Sequence, residues 1–349
     1  MKQITVGIIK SDFHGNHSGS WSNVWIDYCV ENNIIYSLID WRKLDSFNKM
    51  KEHNIVLWHF SHYSYDEMNF ARSILIALKS TGCMVYPDIS DAYHFDDKIA
   101  QSYALQALGI STPKNYPLHS NNAVEEWIKN VNDFPVVAKL KAGSGASNVS
   151  LIKNITELRK YSNQMFGKGM DGKPKAFLKI KSNIMSSKSL TDIFQKLKRA
   201  PEFFFSRSQG SSRERERGYV YLQEYIPNVK YDLKVVVVGD KLSFIARGVR
   251  DNDFRASGSG NLISDRSLVD KSIIDMAFRA ADLMKSECTG FDIIINPQNN
   301  KPIVLEVSYG FSHTAQLLPG GHFNRLGIWN DQPLNAPYEL LHKMLTESR

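Results

Sequence analysis

The first 95 residues alternate between short apolar runs and stretches with helical spacing. SNVWIDYCVENN and NFARSILIALKSTG have the spacing of amphipathic helices, and Gly82 closes the second of them. The runs that predict buried strands are ITVGII (4–9), IIYSLID (34–40), NIVLWHF (54–60) and MVY (84–86). Strands that alternate with helices predict a parallel sheet, so residues 1–95 are expected to form a Rossmann-like α/β unit.

The remaining chain has a different pattern, in which helices are fewer and strands follow one another. A helix is predicted from about Asp97 to Leu108, and a long amphipathic helix in LVDKSIIDMAFRAADLMKSECTG (268–290). GDK at 239–241 predicts a hairpin turn. The predicted strands lie in VVAKL (136–140), YVYLQEYIP (219–227), YDLKVVVVGDKLSFIARGV (231–249), FDIIINP (291–297) and PIVLEVSYG (302–310). An antiparallel sheet with helices on one side, an α+β unit, is expected.

Composition and charge narrow the class of protein. The 349 residues are 42% hydrophobic and 23% charged, which is typical of a globular protein of two or three domains. The apolar runs are strand-sized, and the N-terminus turns polar too early for a signal peptide, so a cytoplasmic location without membrane contact is expected. The cysteines Cys29, Cys83 and Cys288 form no CxxC pair, so they are interpreted as small buried side chains.

The excess positive charge is concentrated in one segment. Residues 165–217 contain 13 Lys and Arg against five Asp and Glu, a net charge of +8, whereas the whole chain carries +7. Because the rest of the chain is near neutral and the segment has no aromatic interleaving, a nucleic-acid partner is not favoured. The segment is either a solvated flap or a surface that attracts a large acidic acceptor.

The loop in VVAKLKAGSGASNVSLI (136–152) is a candidate phosphate site. Its small residues allow backbone N–H groups to approach an anion, and Lys139 and Lys141 precede it. The loop matches neither the GxxxxGK[ST] pattern nor the GxGxxG fingerprint. A plain turn would explain the glycines, but Lys139 stands at an alternating position inside an apolar strand, where an anionic ligand is the simplest compensation.

Two carboxylates predict a metal site. Asp292 and Glu306 lie on consecutive strands, and hairpin pairing would place them on the same face about 5 Å apart. Facing carboxylates are the hard oxygen ligands that suit Mg²⁺ together with phosphate oxygens. The alternative is a solvent-exposed acid on each strand, which the flanking Ile, Val and Leu residues disfavour.

The order of the motifs along the chain resembles that of the ATP-grasp superfamily. The sequence runs DK at 97–98, VVAKLKAGSGASNVSLIKN, YLQEYIP, DLKVVVVGD, GFDIII and LEVS. It is most similar to the ligases that add glutamate to a ribosomal protein, and to D-alanine:D-alanine ligase and glutathione synthetase. The resemblance covers roughly residues 1–320. It implies a pre-ATP-grasp domain (1–95), a small lid subdomain (96–222) with a basic insertion (about 165–217), and a C-terminal subdomain (223–349) with the metal strands.

The resemblance also implies roles for individual residues. Lys98 and Lys139 would contact ATP phosphates, and Lys139 also the adenine. Asp232 would support the ribose or the substrate side. The hinge residues at the adenine edge would be Glu224, Tyr225 and Ile226. The lid over the phosphates would include Gly143, Ser144, Gly145, Ala146 and Ser147.

The implied cofactors are ATP and two Mg²⁺ ions, with Mn²⁺ as an alternative metal. Asp292, Glu306 and Ser308 match the metal-binding positions, but the family pattern is Glu-x-Asn and Ser308 replaces the asparagine. A serine hydroxyl is a shorter and weaker ligand than an amide carbonyl, so altered metal occupancy or loss of catalysis is an open alternative. Arg247 and Arg250 are the candidate catalytic residues, which would stabilise charge on a phosphorylated carboxylate.

Substrate recognition is expected in the N-terminal loops and the tail. His14, His17, His59 and His62 stand in or near the ligand-facing loops, where hydrogen bonding is favoured over a metal site. The segment YGFSHTAQLLPGG suggests Tyr309, Ser312 and His313 as substrate contacts.

The sequence therefore predicts a ligase that uses ATP to activate a small-molecule carboxylate as an acyl phosphate, which an amine converts to an amide. A small-molecule kinase, a non-catalytic nucleotide-binding module and a nucleic-acid binder are the rival interpretations.

Overall fold

The structure is a computed structural model, and it describes residues 4–11, 19–143, 148–172, 215–249 and 261–348. Its first sheet is parallel, in the order β2-β1-β3-β4. The strands are β1 (Thr5–Ile9), β2 (Ile35–Leu38), β3 (Ile55–Trp58) and β4 (Met84–Tyr86). The helices are α1 (Trp21–Glu31), α2 (Ser46–Lys51), α3 (Tyr65–Ser80) and α4 (Ile89–His94). The predicted parallel sheet is confirmed.

A second sheet, smaller and antiparallel, follows in the order β5-β8-β6-β7. Its strands are β5 (Asn115–Leu118), β6 (Val136–Lys139), β7 (Val149–Ile152) and β8 (Val220–Glu224). The helices of this part are α5 (Lys98–Ala107), α6 (Asn121–Asn130) and α7 (Ile155–Phe166). Trp127 of α6 and Leu158 of α7 are buried against the sheet, and their burial forms a separate core that carries β6.

The third sheet holds most of the C-terminal half, in the order β13-β12-β9-β10-β14-β15, with β11 paired to β10. Its strands are β9 (Tyr231–Val238), β10 (Lys241–Gly248), β11 (Leu262–Ile263), β12 (Cys288–Asn296), β13 (Lys301–Ser308), β14 (His322–Asn324) and β15 (Trp329–Asn330). α8 (Lys271–Met284) packs on it, and the predicted inward residues are buried, namely Ile273, Ile274, Ala277, Ala281 and Met284. Short 3₁₀ turns lie at Arg266–Leu268 and Ala315–Leu317.

The last helix, α9 (Ala336–Glu347), returns to the first sheet. Trp25 of α1 donates its indole N–H to the carbonyl of Pro337 at 3.0 Å, and Tyr28 pairs with His342 at 2.9 Å. Tyr86 donates its hydroxyl to the carbonyl of Cys288 on β12 at 3.3 Å. The first and third sheets therefore share one continuous core, to which α9 also contributes.

Other predictions have clear outcomes. Cys29, Cys83 and Cys288 are buried free thiols, as predicted. No helix within the described ranges has both the length and the apolar character needed to cross a membrane. Part of the basic segment, residues 173–214, lies outside the described residues, and so does the helix predicted within it.

Candidate functional site

Asp292 and Glu306 face each other across the β12–β13 pair, as the sequence predicted. The register changes at the next position, because Ile293 pairs with Val304 and Leu305 is an extra residue on β13. Such a β-bulge bends the strand and turns a side chain, and bulges are common beside active sites. Both carboxylates are partly buried, with side-chain exposures of 13% for Asp292 and 29% for Glu306.

Asp292 lies among two cations and a second acid from the neighbouring strands. Lys234 of β9 pairs with Asp292 in register, and its ammonium contacts one carboxylate oxygen. Arg247 of β10 contacts the other oxygen at 3.0 Å. The same guanidinium forms a bidentate pair with Asp232, with distances of 2.6 Å from Nε and 2.8 Å from Nη2. These ion pairs compensate the negative charges of Asp232 and Asp292, which lie buried close to each other.

The protonation of these two acids differs because their neighbours differ. Burial alone would raise the pKa of Asp292, but the Arg247 guanidinium and the Lys234 ammonium outweigh it and hold that pKa well below its ordinary value. For Asp232, burial and the charge of Asp292 raise the pKa despite the pairing with Arg247. Asp292 therefore stays ionised to a lower pH than Asp232 does.

Glu306 is joined to the start of α5 by a lysine. The Lys98 ammonium lies 3.5 Å from the Glu306 carboxylate and donates a hydrogen bond to the carbonyl of Gly143 at 2.7 Å. Lys98 is buried, in the first turn of α5, where Asp97 caps the helix by accepting from the N–H of Ala100. Lys98 thus lies beside Glu306, one of the two acids predicted as metal ligands.

Lys139 is the last residue of β6 and points into the same region. Its ammonium donates to the Gln223 side chain on β8 at 2.6 Å, and Gln223 in turn donates to Asn115 at 2.9 Å. Burial lowers the pKa of Lys139 to about 8, while the field of Glu306 opposes that shift and Lys98 adds to it. A half-buried ammonium with a lowered pKa, whose hydrogen-bond partner among the described residues is an amide, is suited to an anionic ligand.

The predicted hinge lies at the end of β8. Glu224 accepts a hydrogen bond from the N–H of Lys114 at 3.0 Å and donates its own N–H to the carbonyl of Lys114 at 2.8 Å. Tyr225 and Ile226 follow it and are half-buried. The Glu224 carboxylate therefore fixes the start of β5, and a contact of these residues with an adenine stays a prediction.

Several predicted residues cannot be placed. Gly143 is described, but Ser144, Gly145, Ala146, Ser147 and Arg250 lie outside the described residues. His14 and His17 also lie outside the described residues. Ser308 is described and half-buried, and its hydroxyl accepts a hydrogen bond from the N–H of Gly310 at 3.0 Å.

The hypothesis of substrate contacts in the tail is wrong for two residues. Tyr309 is 1% exposed and donates its hydroxyl to the carbonyl of Phe60 at 2.9 Å. His313 is 5% exposed and pairs with the carbonyl of Gly19 at 3.1 Å. Both belong to the packing between the first sheet and the tail, and only Ser312 of the three is exposed.

The HFSH spacing does not build a metal centre. His59 is buried and stacks on Trp21 with 4.3 Å between ring centroids, while His62 contacts the rings of Tyr63 and Phe95. Across the ranges that the structure describes, no three His, Cys, Asp or Glu side chains are grouped as a metal centre would require. The two carboxylates Asp292 and Glu306 remain the oxygen ligands that fit Mg²⁺, which needs one or two from the protein.

Sequence reasoning missed Lys234 and Gln223, which contact Asp292 and Lys139. The signal for Lys234 was present, because it is a charged residue inside the apolar run YDLKVVVV, the same argument that picked out Lys139. Gln223 gave no comparable signal, since a glutamine in a strand is commonly solvent-facing.

Comparison with known proteins shows what the chain is similar to. Residues 212–315 match the family described as RimK-like ATP-grasp domain, and they span the strands that carry Asp232, Arg247, Asp292 and Glu306. The chain has the ATP-grasp fold. The predicted resemblance to this superfamily is therefore confirmed.

Individual relatives agree with the ATP-grasp assignment. A Vibrio parahaemolyticus protein named "Probable alpha-L-glutamate ligase" is 24% identical over 218 residues, which are 61% of this chain. The match covers 54% of that protein, so the chain spans about half the length of the curated relative it matches.

Two solved structures extend the likeness over nearly the whole chain. The RimK domain ATP-grasp protein of Sphaerobacter thermophilus is 14% identical with a TM-score of 0.53, covering 98% of this chain and 99% of that one. The D-alanine–D-alanine ligase of Bacillus anthracis is 17% identical with a TM-score of 0.56, covering 90% of each chain. At these identities the likeness establishes the ATP-grasp fold alone.

Proposed function

We propose that the protein is an ATP-dependent carboxylate–amine ligase that forms an amide through an acyl phosphate and releases ADP and phosphate. The observation that carries the proposal is the convergence of Lys98 and Lys139 on the facing carboxylates of Asp292 and Glu306. Cations on one side and hard oxygen ligands on the other are what a metal-bound triphosphate requires. A cytoplasmic location is part of the proposal.

The reaction divides into two balanced steps. A carboxylate oxygen of the substrate attacks the γ-phosphorus of ATP, and ADP leaves with the electron pair of the broken bond. The amine then attacks the acyl carbon, phosphate leaves, and the amine nitrogen loses a proton. Mg²⁺ held by Asp292 and Glu306, with Ser308 beside them, would neutralise phosphate charge in the first step.

The chain's own residues have separable roles in this proposal. Lys139 and Lys98 bind and orient the phosphates as positive charges at the ends of β6 and at the start of α5. Arg247 holds Asp232 and Asp292 in place and presents its remaining N–H groups to the developing charge on the carboxylate. Glu224, Tyr225 and Ile226 would receive the adenine beside β8.

The substrate class is proposed from the relatives and the residues together. The curated relative is named for an α-L-glutamate ligase, so glutamate is the first amino acid to test, followed by other amino acids and sugar acids. The basic segment 165–217 would attract a larger acidic acceptor by long-range electrostatics.

The test is release of ADP and phosphate by the purified protein with Mg²⁺-ATP and pooled carboxylates, with and without pooled amines. We expect phosphate release that requires both pools and an amide product detected by mass spectrometry. A phosphorylated product without phosphate release would establish a kinase instead. ATP binding without turnover in any pool would favour the non-catalytic module, for which the replacement of asparagine by Ser308 is the relevant feature.

The lowered pKa of Lys139 predicts a pH dependence of nucleotide binding. Below about pH 8 its ammonium is charged and attracts phosphate, and above that pH it is neutral, so affinity for an ATP analogue should fall as pH rises through about 8. Titration calorimetry from pH 7 to 9.5 measures it. The control is Lys139→Arg, which stays charged and should remove this step. If affinity fell with pH equally in the wild type and in Lys139→Arg, the contact of Lys139 with phosphate would be contradicted.

A further inference from the structure

Gly143 is bound through both its N–H and its carbonyl by one short segment, residues 96–98. Its N–H donates to the Asp96 carboxylate at 2.7 Å, and its carbonyl accepts from the Lys98 ammonium at 2.7 Å. The backbone N–H of Lys98 adds a third bond, to the carbonyl of Lys141 at 2.9 Å. The segment 141–143, which follows β6, is thus bound to residues 96–98 by three hydrogen bonds.

Both partners of this contact have backbone conformations that restrict the residue type. Gly143 has φ of +118°, and a Cβ atom there would lie 2.5 Å from the side-chain nitrogen of Asn148. Asp96 has φ of 54° and is buried, and aspartate and asparagine are the non-glycine residues that best tolerate this region. A left-handed buried residue persists only where its surroundings hold it.

The segment that carries Asp96 is itself fixed to the first sheet's helices. Arg72 of α3 donates to the carbonyl of Ala92 at 2.8 Å and to the carbonyl of Phe95 at 2.5 Å. These bonds hold the connection between α4 and α5 directly before Asp96. Residues of the first sheet's layer, Asp96 and the Gly143 peptide therefore form one continuous set of contacts.

These contacts determine where the Lys98 ammonium lies. Lys98 has two acceptors, the Gly143 carbonyl and the Glu306 carboxylate 3.5 Å away. Asp96 binds the N–H of the 142–143 peptide, and the carbonyl that receives Lys98 belongs to the next peptide, so the two bonds hold Gly143 on both sides of its Cα. Without the Asp96 anchor Gly143 is held on one side only, and the carbonyl that receives the ammonium is less firmly placed.

We infer that Asp96 is a positioning residue of the nucleotide site, which acts through Gly143 and Lys98 and not through contact with the ligand. This inference rests on the proposed function, since it assumes that Lys98 binds phosphate. A carboxylate in direct contact with phosphate would repel it, whereas one that accepts from the N–H of Gly143 fixes that residue without this cost.

The experiment compares Asp96→Gly with Asp96→Asn by titration calorimetry with Mg²⁺ and a non-hydrolysable ATP analogue. Glycine keeps the left-handed conformation and removes the acceptor, so affinity should fall about tenfold, the loss expected for a hydrogen bond to a charged group. Asparagine keeps both the left-handed conformation and an acceptor oxygen, so its affinity should stay within about twofold of the wild-type value. Asp96→Ser, with its shorter side chain, replaces the glycine variant if that one does not fold.

A double-mutant cycle with Lys98→Met separates positioning from general stability. If Asp96 acts through Lys98, Asp96→Gly should cost far less affinity in the Lys98→Met background than in the wild type. The matched control is Asn33→Gly, at another left-handed residue (φ 53°) at the end of α1, which should leave affinity unchanged.

The outcomes distinguish this inference from the proposed function. A wild-type protein that binds no nucleotide contradicts both. A wild type that binds, with Asp96→Gly binding equally well or with fully additive losses in the cycle, contradicts the positioning role alone. A lower melting temperature for Asp96→Gly with unchanged affinity would likewise reduce Asp96 to a structural residue.

Discussion

Glu306→Ala is expected to abolish Mg²⁺-dependent turnover while the protein stays folded. Glu306 supplies one of only two facing carboxylates at the β12–β13 pair, so its loss removes half of the protein's charged metal ligands. Losing several kcal/mol of charge stabilisation corresponds to a decrease on the order of a thousandfold in kcat. Stability should change little, because the Lys98 ammonium keeps its bond to the Gly143 carbonyl.

The measurement is phosphate release at saturating ATP, combined with thermal unfolding of the unliganded protein. A matched control is Glu339→Ala, which removes a partly buried acid paired with Lys241 at 2.7 Å, at a position that the proposed site does not use. We expect the control to retain activity. A Glu306→Ala protein with full Mg²⁺-dependent turnover would contradict the metal assignment.

Asp292→Asn is expected to abolish turnover as well, but with a large loss of stability. Asp292 compensates the Lys234 ammonium and part of the Arg247 guanidinium, and the three side chains are 13–15% exposed. Removing one partner of a buried ion pair leaves the other charge uncompensated, at a cost of about 3 kcal/mol in the free energy of unfolding. Denaturant unfolding of the unliganded protein measures that cost.

The double variant Asp292→Asn/Lys234→Met separates the two roles of Asp292. Removing the lysine charge should restore most of the lost free energy of unfolding without restoring activity. Recovery of activity in the double variant would contradict a metal-binding role for Asp292. An Asp292→Asn variant as stable as the wild type would contradict the importance of the ion pairs to Lys234 and Arg247.

The two acids thus have different stabilising roles despite their matching positions in the strand pair. Asp292 lies between β9 and β13 and meets cations from β9 and β10, whereas Glu306 is on the edge strand β13 and meets a lysine from α5. An inner strand brings neighbours from both sides and an edge strand from one. Comparing the turnover and the free energy of unfolding of Glu306→Ala and Asp292→Asn therefore tests the metal site and the ion pairs together.

The sequence was sufficient for the pairing of the two acids and for the N-terminal sheet. Asp292 and Glu306 flank a short polar turn, QNNK, and hairpin geometry alone brings them together. Buried strand runs separated by amphipathic helices likewise imply a parallel sheet. These are local patterns, in which the relevant residues are close in sequence.

The contacts that sequence reasoning missed are long-range. Lys234 reaches Asp292 over 58 positions of sequence, and the Gly143 peptide meets Asp96 over 47. The position of Tyr309 directly after β13 suggests a ligand contact, but its ring packs between the first sheet and the tail, 4.4 Å from the ring centroid of Phe95. Single-sequence patterns indicate which face is apolar, but they do not identify the element that covers it.

The most direct test of the proposed ligase is the fate of the substrate's carboxylate oxygen. Pooled amino acids and sugar acids labelled with ¹⁸O in their carboxyl groups are incubated with the protein, Mg²⁺-ATP and pooled amines, and the released phosphate is analysed by mass spectrometry. An acyl phosphate transfers one carboxylate oxygen to phosphate, so we predict phosphate that carries a single ¹⁸O. Unlabelled phosphate, formed by attack of water on ATP, would contradict the proposed function.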